Sequence, residues 1–166
     1  YKANSSLFYR NVKLNFSWFP LDNHSIDFGI NGVLYTIKPG EQEPFGIESD
    51  IQSLKMPQER AGEYAVYITD NFTVLPKLSM DLGLRYSLYA LLGPSTVYSF
   101  NADLPESRRS IKDSTLYGKN AIVCAYSGLE PRFSLRFSIS DNKSVKLSYN
   151  RIHQYINLVS NTAIMT

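Results

Sequence analysis

The chain has 166 residues, of which 43% are hydrophobic, 13% aromatic and 19% charged, with a formal net charge of +2. That length holds one ordinary domain with a core, and the near balance of charge singles out no nucleic acid or other strongly charged partner. The single cysteine, Cys124, excludes an internal disulfide framework and a multi-cysteine zinc site, and the lack of an 18-residue apolar run excludes a transmembrane helix.

Period-two alternation runs through the chain, and helical periodicity is almost absent. It predicts six strands. The first, residues 7–19, sets Leu14, Phe16 and Trp18 against Lys13, Asn15 and Ser17. The second, 24–37, sets Ile26, Phe28 and Ile30 against Asp27, Gly29 and Asn31. The third, 62–74, sets Tyr64, Val66 and Ile68 against Glu63, Ala65, Tyr67 and Thr69. The fourth, 77–91, is the cleanest, with Leu82, Leu84 and Tyr86 against Asp81, Gly83 and Arg85. The fifth and sixth, 126–140 and 144–159, set Phe133, Leu135, Phe137, Val145, Leu147 and Tyr149 against Arg132, Ser134, Arg136, Lys146 and Ser148.

The links alternate between short and long. Pro20 to Asn23, Leu75-Pro76 and Asp141-Asn142-Lys143 read as tight turns of turn-forming residues. The links 38–61 and 92–125 are long and carry most of the prolines. An up-and-down sheet with this rhythm has its tight turns at one end and its long loops at the other. The strands alternate for about ten residues or more, whereas a globular strand averages about 5–6. Ten residues at a rise of about 3.3 Å, tilted by about 45°, span roughly the apolar band of a transmembrane β-barrel, about 25 Å tall. Aromatics near strand ends (Trp18, Phe19, Phe72, Tyr86, Tyr89, Tyr126, Tyr149, Tyr155) suit the girdles of such a barrel.

A closed outer-membrane barrel needs at least about 8 strands, and an open sheet in lipid leaves backbone groups unsatisfied at its edges. The expected fold is therefore all-β, with antiparallel up-and-down strands forming a partial arc of a large transmembrane β-barrel. The chain opens on Tyr1 with no signal peptide, and reads as an internal piece of a longer protein. Five N-x-Ser/Thr sequons occur, but Asn15 and Asn71 fall inside predicted strands, where polar composition explains them better than glycosylation.

The run YAVYITDNFTVLPKLSMDLGLRY, Tyr64 to Tyr86, resembles a hairpin of TonB-dependent outer-membrane receptors: an aromatic-rich strand, Asp70, a short turn, then Gly83-Leu84-Arg85-Tyr86. The run GLEPRFSLRFSISDNKSVKLSYNR, residues 128–151, is similar to another hairpin of that family. It continues into Gln154-Tyr155 and Asn157-Leu158, as in receptors with a carboxypeptidase-regulatory-like N-terminal domain. The run HSIDFGIN, from His24, resembles a further family strand. The resemblance implies a barrel of about 22 strands filled by a plug domain, in the outer membrane of a Gram-negative bacterium. It also implies active uptake of a scarce nutrient, driven through the plug by TonB. No plug domain is expected within these residues, and the transported nutrient is not legible.

Candidate residues follow from these faces. Arg85, Arg132, Arg136 and Lys146 share the polar face, as a basic lumen toward a plug or anionic substrate, or simply as a solvated face held by cross-strand partners such as Asp81. Leu82, Leu84, Phe133, Leu135, Phe137 and Leu147 are the lipid-facing candidates. Glu106, Arg108 and Arg109 are the substrate-contacting candidates in the second long loop. Pro131 fits a strand start or a bulge. His24 and His153 have no acidic or thiol partner at metal-ligand spacing, so no metal or other cofactor is expected. Neither G-x-S-x-G nor a phosphate-cradling glycine loop occurs, and no catalysis is expected. Phe133 and Phe137 point away from Arg132 and Arg136, which counts against nucleic-acid stacking.

Two alternatives stand beside this reading. One is a small complete outer-membrane barrel with two strands hidden in the long loops. The other is a soluble antiparallel β-domain that binds a ligand. Alternation alone does not separate lipid from water on the apolar face. Under the membrane reading, an isolated piece with open edges self-associates unless detergent is present.

Overall fold

Alternating apolar and small polar side chains present two unlike surfaces on one strand. The computed structural model, which describes residues 2–43, 54–103, 105 and 107–156, follows that pattern with nine strands. They are β1 (Lys2–Trp18), β2 (His24–Glu43), β3 (Leu54–Lys55), β4 (Glu59–Leu75), β5 (Leu78–Leu92), β6 (Ser95–Phe100), β7 (Ile111–Tyr117), β8 (Ile122–Ser140) and β9 (Lys143–Asn150). The main sheet runs in the order β1-β2-β4-β5-β8-β9, with the short β3 paired to β2. Neighbours in this order are also neighbours in the chain, apart from β3 and the β6–β7 hairpin. This is the antiparallel, up-and-down, all-β fold expected from the alternation.

All three short turns lie where they were expected, each between strands that pair. The long links differ from expectation. β2 extends to Glu43 and β4 begins at Glu59, so strand takes up much of 38–61, and residues 44–53 lie outside the described residues. The link 92–125 is not loop alone. Its strands β6 and β7 pair from Ser95↔Tyr117 to Phe100↔Ile111 as a separate two-stranded sheet. A 3-10 turn at Arg108–Ser110 precedes β7. Two strands are thus present in a long link, as the small-barrel alternative required, but among the described residues they pair with each other and not with the main sheet.

The sixth strand, predicted to 159, ends at Asn150, with 157–159 lying outside the described residues, and Pro131 contributes to that end. Pro131 sits inside β8, not at its start. The β8–β9 ladder pairs Arg136↔Lys146, Ser134↔Ser148 and Arg132↔Asn150. One step further, the Arg151 amide donates to the Pro131 carbonyl at 3.1 Å. The reciprocal bond would need a hydrogen on the Pro131 nitrogen, which proline lacks. A hydrogen-bonded pair in an antiparallel ladder exchanges two bonds, so this rung is half made and the ladder ends. Residues 151–156 continue without strand structure.

The chain divides into two compact units. One holds residues 1–13, 31–64 and 88–125, with the long links and the β6–β7 hairpin. The other holds 14–30, 65–87 and 126–166, with all three short turns. In the second unit the polar faces of β1, β2, β4 and β5 are stitched side chain to side chain. Ser17 donates to Asp27 at 2.6 Å, and Asn71 bonds Asp81. Tyr67 on β4 reaches over β2 to bond Asn15 on β1. Its ring crosses at Gly29, where a Cβ would run into both the Tyr67 hydroxyl and the Leu14 carbonyl.

Because a backbone carbonyl is one of those obstacles, Gly29→Ala is expected to destabilise the fold by about 1–3 kcal/mol, the range for overpacking. Gly40→Ala, where an added Cβ meets nothing within 4 Å, serves as the near-neutral control. Equilibrium unfolding of the two variants in the parent chain measures the difference, and equal midpoints would contradict the crossing role of Gly29.

Candidate functional site

Exposure on the main sheet runs opposite to that of a water-soluble sheet. On the apolar face Leu82 is 44%, Leu84 46%, Phe137 48% and Leu147 63% exposed, whereas Ser87 and Glu130 on the polar face are 0% exposed. Tyr64, Val66, Ile68 and Tyr86 are exposed on the apolar side as well, while Ala65 is buried. Phe133 and Leu135 lie half-buried on the apolar side, paired with Tyr149 and Leu147. A sheet that packs its small and polar side chains while presenting a continuous row of Leu, Ile, Val and aromatics is matched to an apolar surrounding.

The most enclosed polar group is the Glu130 carboxylate, which takes hydrogen bonds on both oxygens. Arg85 donates to Oε2 at 3.0 Å, and the Ser87 hydroxyl donates to Oε1 at 2.7 Å. Arg85 and Ser87 are alternate residues of β5, so both point to the face that Glu130 occupies on β8. The remaining cover comes from the segment released at Pro131. Tyr155 brings its hydroxyl to Ser87 Oγ at 2.9 Å and donates to the Ser87 carbonyl at 3.3 Å. His153 lies 3.8 Å from Glu130 Oε1 and stacks on Tyr155 with ring centroids 6.0 Å apart. Gly128 makes room for it, since a Cβ there would overlap the imidazole ring. A charge fully removed from water persists only when paired and hydrogen-bonded, and Arg85 and Ser87 meet that condition, with His153 and Tyr155 closing the cover.

Of the four basic candidates, Arg85 pairs with the buried Glu130, while Asp81 bonds Asn71. Arg132, Arg136 and Lys146 are exposed on the same face. Of the loop candidates, Glu106 lies outside the described residues, and Arg108 and Arg109 fall in the 3-10 turn, with Arg109 exposed. Among the described residues nothing brings Arg109 into a cluster. The unit with the long links instead contains a pocket of about 490 Å³, lined by Glu59, Leu91, Leu92, Tyr98 and Leu116 among others. Sequence reasoning did not single out these residues. It also gave Glu130, Ser87 and Asp70 no role as site residues, and missed an acidic partner for either histidine. His24 in fact meets Asp70 at 2.8 Å and stacks on Phe72 with centroids 5.1 Å apart. The histidine and its acid are 46 residues apart in sequence, and no spacing rule joins them. Among the described residues no group of three or more His, Cys, Asp or Glu side chains is placed to hold a metal ion, and Cys124 is a lone half-buried thiol on β8.

The model of one protein family, described as "TonB dependent receptor-like, beta-barrel", matches residues 2–160. No curated protein and no solved structure matches the chain.

Removing one partner of a buried charge pair strands the other. Glu130→Ala is expected to cost about 3–5 kcal/mol of stability. The Arg85→Ala/Glu130→Ala double variant should cost less than the sum of the singles, with a coupling of about 0.5–3 kcal/mol. A double-mutant cycle read by equilibrium unfolding of the parent chain tests this, and a coupling indistinguishable from zero would remove the pair from the account.

Proposed function

The chain belongs to the TonB-dependent receptor-like β-barrel family, and from that membership, with its receptor and transport role in the outer membrane, we propose that it forms a stretch of barrel wall in a receptor for active nutrient uptake. The observation that carries this reading is the inverted exposure of the sheet, with apolar side chains open on one face and Glu130 and Ser87 enclosed on the other. In a bilayer the apolar face meets hydrocarbon, and the backbone groups are satisfied by strand pairing. The polar face then lines the barrel interior. The three short turns lie on the periplasmic side and the long links on the outer side, where the pocket beside Tyr98 and Leu116 offers a first contact for the nutrient.

In the proposed parent receptor, of the type with a carboxypeptidase-regulatory-like N-terminal domain, a plug fills the barrel and TonB pulls on it, using the proton gradient of the inner membrane. The wall contributes no catalysis in this scheme. It supplies a closed, apolar-jacketed frame and a polar inner surface against which the plug can move. Phe137, Leu147, Leu82 and Leu84 are assigned to lipid, with Phe133 and Leu135 beside them. Arg132, Arg136 and Lys146 are assigned to the interior.

Localisation, uptake and substitution each test the reading. The parent chain should fractionate with outer membranes and show a heat-modifiable electrophoretic shift, and deletion of TonB should abolish uptake of its nutrient. At the level of residues, Leu82→Arg or Phe137→Arg is expected to destabilise the parent barrel by about 2–4 kcal/mol, the cost of a cation facing lipid near the midplane. Ser134→Arg, on the opposite face, should be far milder. Equal losses of folded barrel from both kinds of substitution would reverse or abolish the facing assigned here.

A further inference from the structure

On three neighbouring strands the row of side chains on the apolar face ends in a cation. Stepping in twos away from the short turns, Val12 on β1 is followed by Arg10. On β2 Leu34 and Thr36 are followed by Lys38, and on β4 Tyr64 and Gly62 by Arg60. Val12, Leu34 and Tyr64 are 68%, 47% and 45% exposed, and Arg10 and Lys38 are exposed as well. The acids Glu59 and Glu63 alternate with Arg60 on β4 and so point to the other face.

The register brings these cations together. Gly32 lies against the Tyr64 ring, and the Met56 amide donates to the Gly40 carbonyl at 3.1 Å. Between those two contacts Thr36 stands opposite Arg60, and Lys38 is one same-side step further on. Phe16 stacks on Phe28, and six residues on along each strand Arg10 stands opposite Leu34. With strands about 4.8 Å apart and same-side residues about 6.6 Å apart, the backbone of Arg60 lies about 8 Å from that of Lys38 and about 12 Å from that of Arg10. Arg60 is also held in place, since its Nη1 donates to Asn120 Oδ1 at 2.9 Å. Among the described residues Arg10 and Lys38 have no ion pair. Long basic side chains can lie along apolar surface and hold their charge at its polar boundary. A dissolved anion would meet the three charges and leave the apolar side chains between them uncovered. An anion that carries its own apolar body meets both.

We propose that Arg10, Lys38 and Arg60 form a site on the outward face for the phosphate headgroup of an anionic lipid, with Val12, Leu34 and Tyr64 against its acyl chains. This rests on the reading of the apolar face as the lipid-facing surface of a barrel. The site is at the long-link end, so the lipid is one of the outer leaflet.

Lipid binding by the intact parent receptor, purified and stripped of lipid in a non-ionic detergent, tests the proposal. Native mass spectrometry counts bound lipid as phosphatidylglycerol, which is anionic, or phosphatidylcholine of the same chains, which is zwitterionic, is added. Phosphatidylglycerol should bind the more tightly. Arg10→Gln/Lys38→Gln should weaken it by about 25-fold, about fivefold for each cation lost, and leave phosphatidylcholine unchanged. Arg10→Lys/Lys38→Arg, which keeps both charges, should bind as the unsubstituted receptor does. Arg132→Gln/Arg136→Gln removes the same charge from the interior and should have no effect. Equal binding of the two lipids by the unsubstituted receptor overturns the proposal, whether or not any variant folds. So does an interior variant that weakens binding as much as the outer one. If inorganic phosphate at the lipid's own concentration displaces phosphatidylglycerol, the cations serve a dissolved anion and the lipid is likewise overturned. Loss of the heat-modifiable shift in the unsubstituted receptor would instead strike the barrel reading itself.

Discussion

The lower half of the sheet is organised around one carboxylate that has left water. Glu130 has no exposure, so its charge is tolerable only with donors on both oxygens. Arg85 and Ser87 provide them from the neighbouring strand. That requirement fixes the faces: Arg85 and Ser87 must point to the side of Glu130, and the leucines and tyrosine between and around them must then point the other way. The next residue, Pro131, ends the opposite ladder for want of an amide hydrogen, and the freed segment returns over the same carboxylate through His153 and Tyr155. Two adjacent residues of β8 thereby set the facing of one neighbour and the length of the other.

An open apolar face backed by enclosed polar groups such as Glu130 and Ser87 is unfavourable in water, where burying the first and wetting the second lowers free energy. In lipid the preference reverses for the outer surface, and the enclosed polar groups need only satisfy one another. The stitches on the polar face do that locally. Ser17–Asp27, Asn71–Asp81 and Tyr67–Asn15 each join two strands at exposed positions. Tyr67 skips a strand altogether by passing over Gly29. The receptor and transport role of the family agrees with a wall built this way.

Much of the fold was legible in the sequence because strand alternation is a local property. Leu82 to Tyr86 or Phe133 to Ile139 declare their two faces within a few residues, and turn residues such as Pro20, Pro76 and Asp141-Asn142 mark where strands reverse. The site was far less legible because it is built across distance. Arg85 and Glu130 lie 45 residues apart, Ser87 and Tyr155 68 apart. The early end of β9 shows the limit most plainly. Its own alternation slips at the same place, since Arg151 falls on the side of Val145, Leu147 and Tyr149 and Ile152 on the other, and the partner strand adds a second stop in Pro131. Without the register, that proline read as a strand start or a bulge. The β6–β7 hairpin was missed for a different reason: its strands are 6 and 7 residues long and rich in polar groups, too short for alternation to stand out from a loop.

The half-made rung at Pro131 also has a mechanical meaning. Rungs that share a load fail together, at high force, whereas rungs loaded from one end open in turn, like a zipper. Residues 151–156 leave the sheet at the free end of the β8–β9 ladder, tied back by the Arg151–Pro131 bond, by the Tyr155 hydroxyl and by His153 beside Glu130. Tension on that segment, directed away from β8, reaches the Arg132↔Asn150 pair before it reaches Phe137↔Val145. The proline thus gives this seam a direction in which it peels, with Glu130 and its partners as the first fastening to give way.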